Sequence, residues 1–315
     1  MTSATVLVRI PNHVGDACMA LPALHLLREA GLRSALVGRG WAESLFEGLR
    51  SSYLPLQGRF RRDVAHLRQF RASIDGDAHG LVLPNSFGSA LMFALAGVPS
   101  AGLATASRRL LLRWPSPEPR DCHEVERFYR AALAALRAWG LTVERSTPPP
   151  TLQLPLTPGQ GSAALAVRRA AGVGERYALL APVATGLHRG RIKHWAHFGQ
   201  LVPALRERGL VPVAAPPSAE VEAVRAVLPG VALLPPVPLG VFAALAASAG
   251  VVIANDSGTS HVAAAVGVRQ VTIFGVTDRR RTGPWSARAV CVGENGRWPE
   301  VPEVVAAIDE ALALP

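Results

Sequence analysis

Residues 251–275, VVIANDSGTSHVAAAVGVRQVTIFG, constrain this chain more than any other stretch. They open on a β-branched run (Val251, Val252, Ile253) in which no polar residue alternates, the pattern of a strand buried on both faces. The strand stops at Asn255. Asp256 and Ser257 are helix N-cap types, Gly258 allows a close backbone approach, and Thr259, Ser260 and His261 fill the first turn of an Ala-rich helix. A second strand at 270–274 closes a strand, turn, helix, strand unit. Backbone N–H groups at the helix start, the helix dipole and a histidine beside them suit a phosphate. An ordinary capped turn would use the same residues. In an open α/β sheet such a turn lies at the carboxyl ends of the strands, where ligands bind.

With 315 residues the chain is long enough for two α/β domains. Hydrophobic residues make up 49% and charged residues 18%, the balance of a globular enzyme. The net charge is +10, with 18 basic and 12 acidic side chains in residues 1–150 and 15 and 11 in residues 151–315. That excess favours anionic partners. Aromatics are only 6% and no basic run carries interleaved aromatics, so nucleic acid is not an expected partner. Cys18, Cys122 and Cys291 are odd in number, far apart and without a CxxC pair, which argues against a disulfide framework or a metal site and fits a reducing cytoplasm. The opening MTSATVLVRI has no charged n-region, so no signal peptide is expected. Residues 80–107 lack any charge, but Pro84, Asn85, Ser86, Gly88, Ser89 and Pro99 break them into strand, loop, buried helix and strand rather than a membrane span.

In chain order, residues 6–10 form the first strand, 11–16 a loop, and 17–30 a helix with Met19, Leu21, Leu24 and Leu27 on a core-facing stripe. Asp16 therefore sits at the mouth of the sheet, where it either caps the helix or takes a proton from a bound hydroxyl. Strands at 34–37 and 51–56 flank a helix around 41–48. Residues 58–71, GRFRRDVAHLRQFR, read as a basic helix or loop, a solvated face that in a site-bearing domain holds an anionic acceptor through Arg59, Arg61 and Arg62. The strand at 81–83 leads into another polar turn with Asn85 and Ser86. A proline-rich connection (114–119) precedes a helix at 121–139, with His123 and Arg127 on one face. Residues 145–160 carry five prolines and form the linker between domains. Strands then recur at 177–181, 210–213, 231–234, 251–253 and 270–274, and a last helix spans 300–314. The expected domains are 1–150, 151–299 and a C-terminal helix, 300–315, that packs back on the first domain, with a cleft between the two halves.

Of 33 basic residues 32 are arginine, and Lys193 is the single lysine. A compact ammonium in the basic loop HRGRIKHW suits a phosphate as a point charge.

Taken together, VLVRIPNHVGDACMALPALHLL, LVLPNSFGSALMFALAGVP, IKHWAHFGQLVPAL and NDSGTSHVAAAVGVRQVTIFG resemble the family 9 glycosyltransferases, the ADP-heptose:lipopolysaccharide heptosyltransferases, and in the second segment the heptosyltransferase II branch. The resemblance spans essentially the whole chain. It implies a GT-B fold, two Rossmann-like domains facing across a cleft, with acceptor on the first and nucleotide-sugar on the second. It implies inverting transfer of heptose from ADP-heptose to a lipid-linked, phosphorylated inner-core saccharide, with no cofactor and no metal. By the resemblance Asp16 is the general base, and Lys193, His261 and the N–H groups from Gly258 through Thr259 to Ser260 stabilise the departing ADP. Asp256, followed by the capping Ser257, orients the sugar, Thr185 aligns with phosphate-contacting residues, and Glu220 or Glu222 meets the ribose. Ala196 replaces the family's proline after Trp195, Gly88 stands where a lysine is common, and the loop from Val183 to Lys193 is longer than usual. Another nucleotide-sugar transferase or epimerase, or a non-catalytic nucleotide- or glycolipid-binding member, remains open on the sequence. The expected partners are the nucleotide-sugar and an anionic glycolipid, met in the cytoplasm or peripherally at the inner membrane.

Overall fold

The computed structural model describes residues 4–76, 78–184, 187–188, 190–294 and 296–315, with residues 187, 188, 191 and 192 described by backbone alone. The chain divides into two compact units, Met1–Pro149 and Pro150–Pro315.

The first unit holds β1 (Thr5–Arg9), β2 (Arg33–Arg39), β3 (Ser52–Leu56), β4 (His79–Val82), β5 (Ser100–Leu103) and β6 (Trp114–Ser116) in one sheet ordered β3-β2-β1-β4-β5-β6. Every pair is parallel. Its helices are α1 (Val14–Met19), α2 (Leu21–Glu29), α3 (Trp41–Leu45), α4 (Phe60–Ala72), α5 (Phe87–Leu95) and α6 (Glu124–Ala138). Val64 and Leu67 of α4 and Met92 and Phe93 of α5 pack on Leu7, Val37 and Val82 of the sheet. The single helix expected at 17–30 is two, α1 and α2, meeting at Ala20, because Pro22 has no N–H to continue the ladder. Likewise residues 114–116, expected as part of a connection, form the edge strand β6, a position where Pro115 needs no ladder hydrogen bond on its outer side.

The second unit repeats the topology. β7 (Tyr177–Ala181), β10 (Val211–Ala214), β11 (Ala232–Leu233), β12 (Val251–Asn255), β13 (Gln270–Ile273) and β14 (Ala289–Val292) form a parallel sheet ordered β11-β10-β7-β12-β13-β14, and β8 (Leu187–His188) and β9 (Arg191–Ile192) pair antiparallel in a separate two-stranded sheet. The helices are α7 (Pro158–Ala170), α8 (Val202–Glu207), α9 (Val221–Val227), α10 (Leu239–Ala247), α11 (Gly258–Val266), α12 (Arg279–Thr282) and α13 (Val301–Ala313). All of β12 is buried: Val251 and Ile253 face the core beneath α8 and α13, whereas Val252 and Ala254 face that beneath α7, α10 and α11.

Both sheets have the doubly wound order in which the first strand is flanked by the second and the fourth, so the switch points lie between β1 and β4 and between β7 and β12. The proline-rich stretch is a linker only in its first part, since Leu152 and Leu154 are buried and the Leu154 N–H donates to the Ala265 carbonyl at 2.8 Å. The apolar face of α13, with Val304, Ala307, Ile308 and Ala311, is built into the core of the second unit. Among the described residues no helix is long and apolar enough to cross a membrane.

Candidate functional site

At the second switch point the side chains converge. Asn255, fully buried at the end of β12, accepts a hydrogen bond from the Trp195 N–H at 2.9 Å and donates to the Pro182 carbonyl at 2.8 Å. It thereby ties the loop after β7 and the loop carrying Lys193 to the same strand end. Trp195 anchors that loop from its other side, buried, with its indole N–H donating to the Pro299 carbonyl at 2.8 Å.

The next residue, Asp256, is 6% exposed. Its Oδ2 accepts from the Thr277 hydroxyl at 2.6 Å and lies 3.7 Å from Lys193 Nζ, and its Oδ1 is 4.0 Å from His261 Nε2. Ser257 is the N-cap of α11 in extended conformation, yet its hydroxyl makes no capping bond and its buried Oγ has no hydrogen-bond partner among the described atoms. Ser260 is turned inward, its hydroxyl donating to the Ser257 carbonyl at 2.8 Å, so its role is to shape the turn. Gly258 and Thr259 open the helix, where N–H groups have no intrahelical acceptor. Such a turn presents donors and a dipole to an anion, with an ammonium and an imidazole alongside.

Thr185 lies outside the described residues. Glu220 ends a 3-10 turn, Ser218–Glu220, just past β10 and is partly buried, whereas Glu222 is exposed and paired with Arg225 at 2.7 Å. Of the two, Glu220 is the one not engaged in that surface pair.

At the first switch point Asp16 is the third residue of α1 and partly buried, and the N-cap is His13, which makes no side-chain cap bond. Asp16 is therefore not the N-cap, the alternative role the sequence allowed it. Two buried arginines brace the loops around it. Arg9, 4% exposed, donates through Nη1 to the Ile10 and Val37 carbonyls and through Nη2 to Asn12 Oδ1. Arg108, 1% exposed, donates to the Pro84 carbonyl and, at 3.3 Å, to Asn85 Oδ1 and the Val82 carbonyl. Burial brings the pKa of each down to about 10.

Asn85 is held on both sides of its amide, since its Nδ2 donates to Glu118 at 3.0 Å and Glu118 in turn lies 3.2 Å from Arg127. Ser86 is the N-cap of α5, accepting from the Ser89 N–H. Arg59 is the N-cap residue of α4, and Arg61 and Arg62 stand exposed in its first turn. Asp63 organises that start by accepting from the Gln57 and Gly58 N–H groups at 2.9 and 3.0 Å. His123, expected on a helix face with Arg127, is instead the N-cap of α6, with Nδ1 accepting from the Val125 N–H.

Sequence reading passed over Arg9, Arg108, Asn255 and Thr277. A polar residue ending an apolar strand is a visible signal for Arg9 and Asn255; Thr277 and Arg108 carry none. Among the described residues no group of three or more His, Cys, Asp and Glu side chains could hold a metal ion.

The family description "Glycosyltransferase family 9 (heptosyltransferase)" matches residues 68–306. Lipopolysaccharide heptosyltransferase 1 of Pseudomonas aeruginosa is 30% identical over 270 residues, covering 82% of this chain and 68% of the relative. Among solved structures, E. coli ADP-heptose lipopolysaccharide heptosyltransferase II superposes with a TM-score of 0.78 at 24% identity over 98% of both chains. E. coli heptosyltransferase WaaC with ADP superposes with a TM-score of 0.77 at 22% identity over 98% of this chain and 99% of that one. At those identities the structural likeness is one of fold, the GT-B fold with its two Rossmann-like units.

Proposed function

The chain belongs to glycosyltransferase family 9, the heptosyltransferases, and from that membership we propose that it moves a heptose from ADP-heptose, with inversion, to a lipopolysaccharide inner-core or related cell-envelope saccharide. It is a glycosyltransferase; the donor, acceptor and stereochemistry are the proposal. The observation that carries it is the gathering of Lys193 and His261 on Asp256 at the start of α11, beside the second switch point.

In this reading the second unit holds the nucleotide-sugar and the first the acceptor. Asp16 takes the proton of the acceptor hydroxyl, and the oxygen attacks the anomeric carbon opposite ADP. The bond from that carbon to the β-phosphate oxygen breaks, and its electron pair leaves with ADP. Lys193, His261 and the N–H groups of Gly258 and Thr259 meet the charge that develops on the phosphate. Asp256 keeps the Lys193 ammonium and the His261 imidazole in place, with Thr277 fixing its carboxylate, and its remaining hydrogen-bonding capacity faces the sugar. Ser257 offers its hydroxyl to the same phosphate, Thr185 adds a phosphate contact and Glu220 takes the ribose hydroxyls. Asn85, Ser86, Arg59, Arg61 and Arg62 border the acceptor, an anionic glycolipid that would bring the enzyme to the cytoplasmic face of the inner membrane. No cofactor is required.

The test is a thermal-shift titration with ADP, UDP, GDP and NAD on the native chain and on His261→Ala, followed by product analysis with ADP-heptose. Stabilisation by ADP alone, lost in the variant, is the expected result. Stabilisation by UDP or GDP instead would replace the donor, and no response to any nucleotide would remove the transferase site from this turn.

A further inference from the structure

Lone apolar side chains on a protein surface need no explanation. Here, however, four of the five large hydrophobic side chains exposed among the described residues lie in the first unit: Phe60 at 40%, Phe87 at 48%, Leu95 at 48% and Leu110 at 83%. They are not scattered. Phe60 opens α4, Phe87 opens α5 and Leu110 sits in the 3-10 turn Ala106–Leu111. These are the segments that follow β3, β4 and β5, so all three residues rise from the carboxyl edge of the sheet. α5 packs against both α4 and the 3-10 turn, and the Arg68 guanidinium of α4 donates to the Leu95 carbonyl at 2.7 Å. Along α5, Phe87, Leu91 and Leu95 are four residues apart and share one face, with Leu91 half-buried.

Basic side chains dominate the charge around this apolar rim, with Glu118, held by Asn85 and 3.2 Å from Arg127, the exposed carboxylate beside it. Arg59, Arg61 and Arg62 are exposed beside Phe60, and Arg109 and Arg113 flank Leu110. The one acidic residue of α4, Asp63, is buried and occupied by two backbone N–H groups. α5 carries no charge at all.

We propose that this rim of the first unit docks on an anionic phospholipid bilayer, with Phe60, Phe87 and Leu110 entering the headgroup boundary and the arginines meeting lipid phosphates. The chemistry is that of an interfacial segment, apolar side chains for insertion and cations for the surface potential, each arginine contributing roughly five-fold in partitioning. The inference deepens the transferase reading by naming the face turned to the membrane, but it stands on exposure and charge alone.

The experiment is co-sedimentation of the full chain with vesicles of phosphatidylcholine alone and of equimolar phosphatidylcholine and phosphatidylglycerol, at low and high salt. The native chain is expected to bind the anionic vesicles at least roughly ten-fold better than the neutral ones, and high salt is expected to weaken that binding. Leu110→Gln combined with Phe87→Ser is expected to lower the partition coefficient roughly ten-fold or more while leaving the thermal midpoint unchanged. Undiminished binding by the double variant, or equal binding to neutral vesicles, would overturn the proposal. So would a native dimer that the double variant turns into monomer, because a second copy would then cover the rim. The ADP response of the native chain reports on the donor assignment separately, so failure of either reading is seen apart from the other.

Discussion

In the first sheet the buried cations Arg9 and Arg108 rest on carbonyl and amide oxygens, whereas in the second Lys193 and His261 converge on the carboxylate of Asp256. The strand order is the same and the edge used is the same, yet charge is compensated differently. Dipoles offset a buried guanidinium only in part, which is why burial pulls both arginines down to about 10. The first edge thus holds its buried cations without a carboxylate hydrogen-bonded to them, Asp63 and Glu118 acting on them only from a distance, and the exposed arginines of α4 add positive charge to that unit. At the second edge Asp256 already offsets the Lys193 ammonium, and recognition falls to geometry: N–H groups at a helix start, an ammonium and an imidazole at fixed places.

The sharpest way to break this contrast is at Asp16. Asp16→Asn should lower turnover on the order of a hundred- to ten-thousand-fold while ADP still shifts the melting temperature as in the native chain, because only the first edge is touched. Retained turnover in a transfer assay would mean that the base lies elsewhere. Next is Lys193→Ala, expected to cost on the order of a hundred-fold in turnover and to weaken ADP binding. Lys193→Arg should recover only part of it, since a planar guanidinium does not replace a point charge. Calorimetry on both variants decides whether the donor edge works by position or by charge alone.

Smaller effects test the scaffolds. Asn255→Leu orphans the Trp195 N–H and the Pro182 carbonyl, so about 2 kcal/mol of stability should be lost in denaturant unfolding, together with part of the ADP response. Arg108→Met should cost less, about 1 kcal/mol, because the buried charge it removes was itself expensive. Its signature is a raised KM for the acceptor at an unaltered ADP shift.

The smallest effect is Glu303→Gln on the second unit's last helix. Glu303 is held down to about 2 by hydrogen bonds from Arg297 and from the Glu300 N–H. A carboxylate so depressed contributes stability above its ordinary pKa and loses it as pH falls towards 2. The variant should thus melt slightly below the native chain at neutral pH and coincide with it near pH 2.

The sequence displayed the organising unit at 251–275 because three signals agreed there: an unbroken apolar run, cap-type residues and an Ala-rich helix. It did not display β6 or β14, short edge strands whose identity comes from a neighbour rather than from their own pattern. The same division holds at the site. Asp16, Asp256 and His261 stand at turns that local rules locate. That Asp256 faces Lys193 and Thr277, or that Arg108 reaches the Pro84 turn, depends on which strands lie side by side. Sequence separation conceals such pairs: Arg108 lies 24 residues from Pro84, and Thr277 lies 21 from Asp256.

Lys193 also gives the chain a chemical address. It is the only lysine in 315 residues, and its side chain is 24% exposed. An amine-directed reagent therefore finds a single side-chain target, beside the turn where the nucleotide is proposed to sit. The fraction of protein labelled there becomes a direct gauge of how full that turn is, measurable by mass without any acceptor in hand.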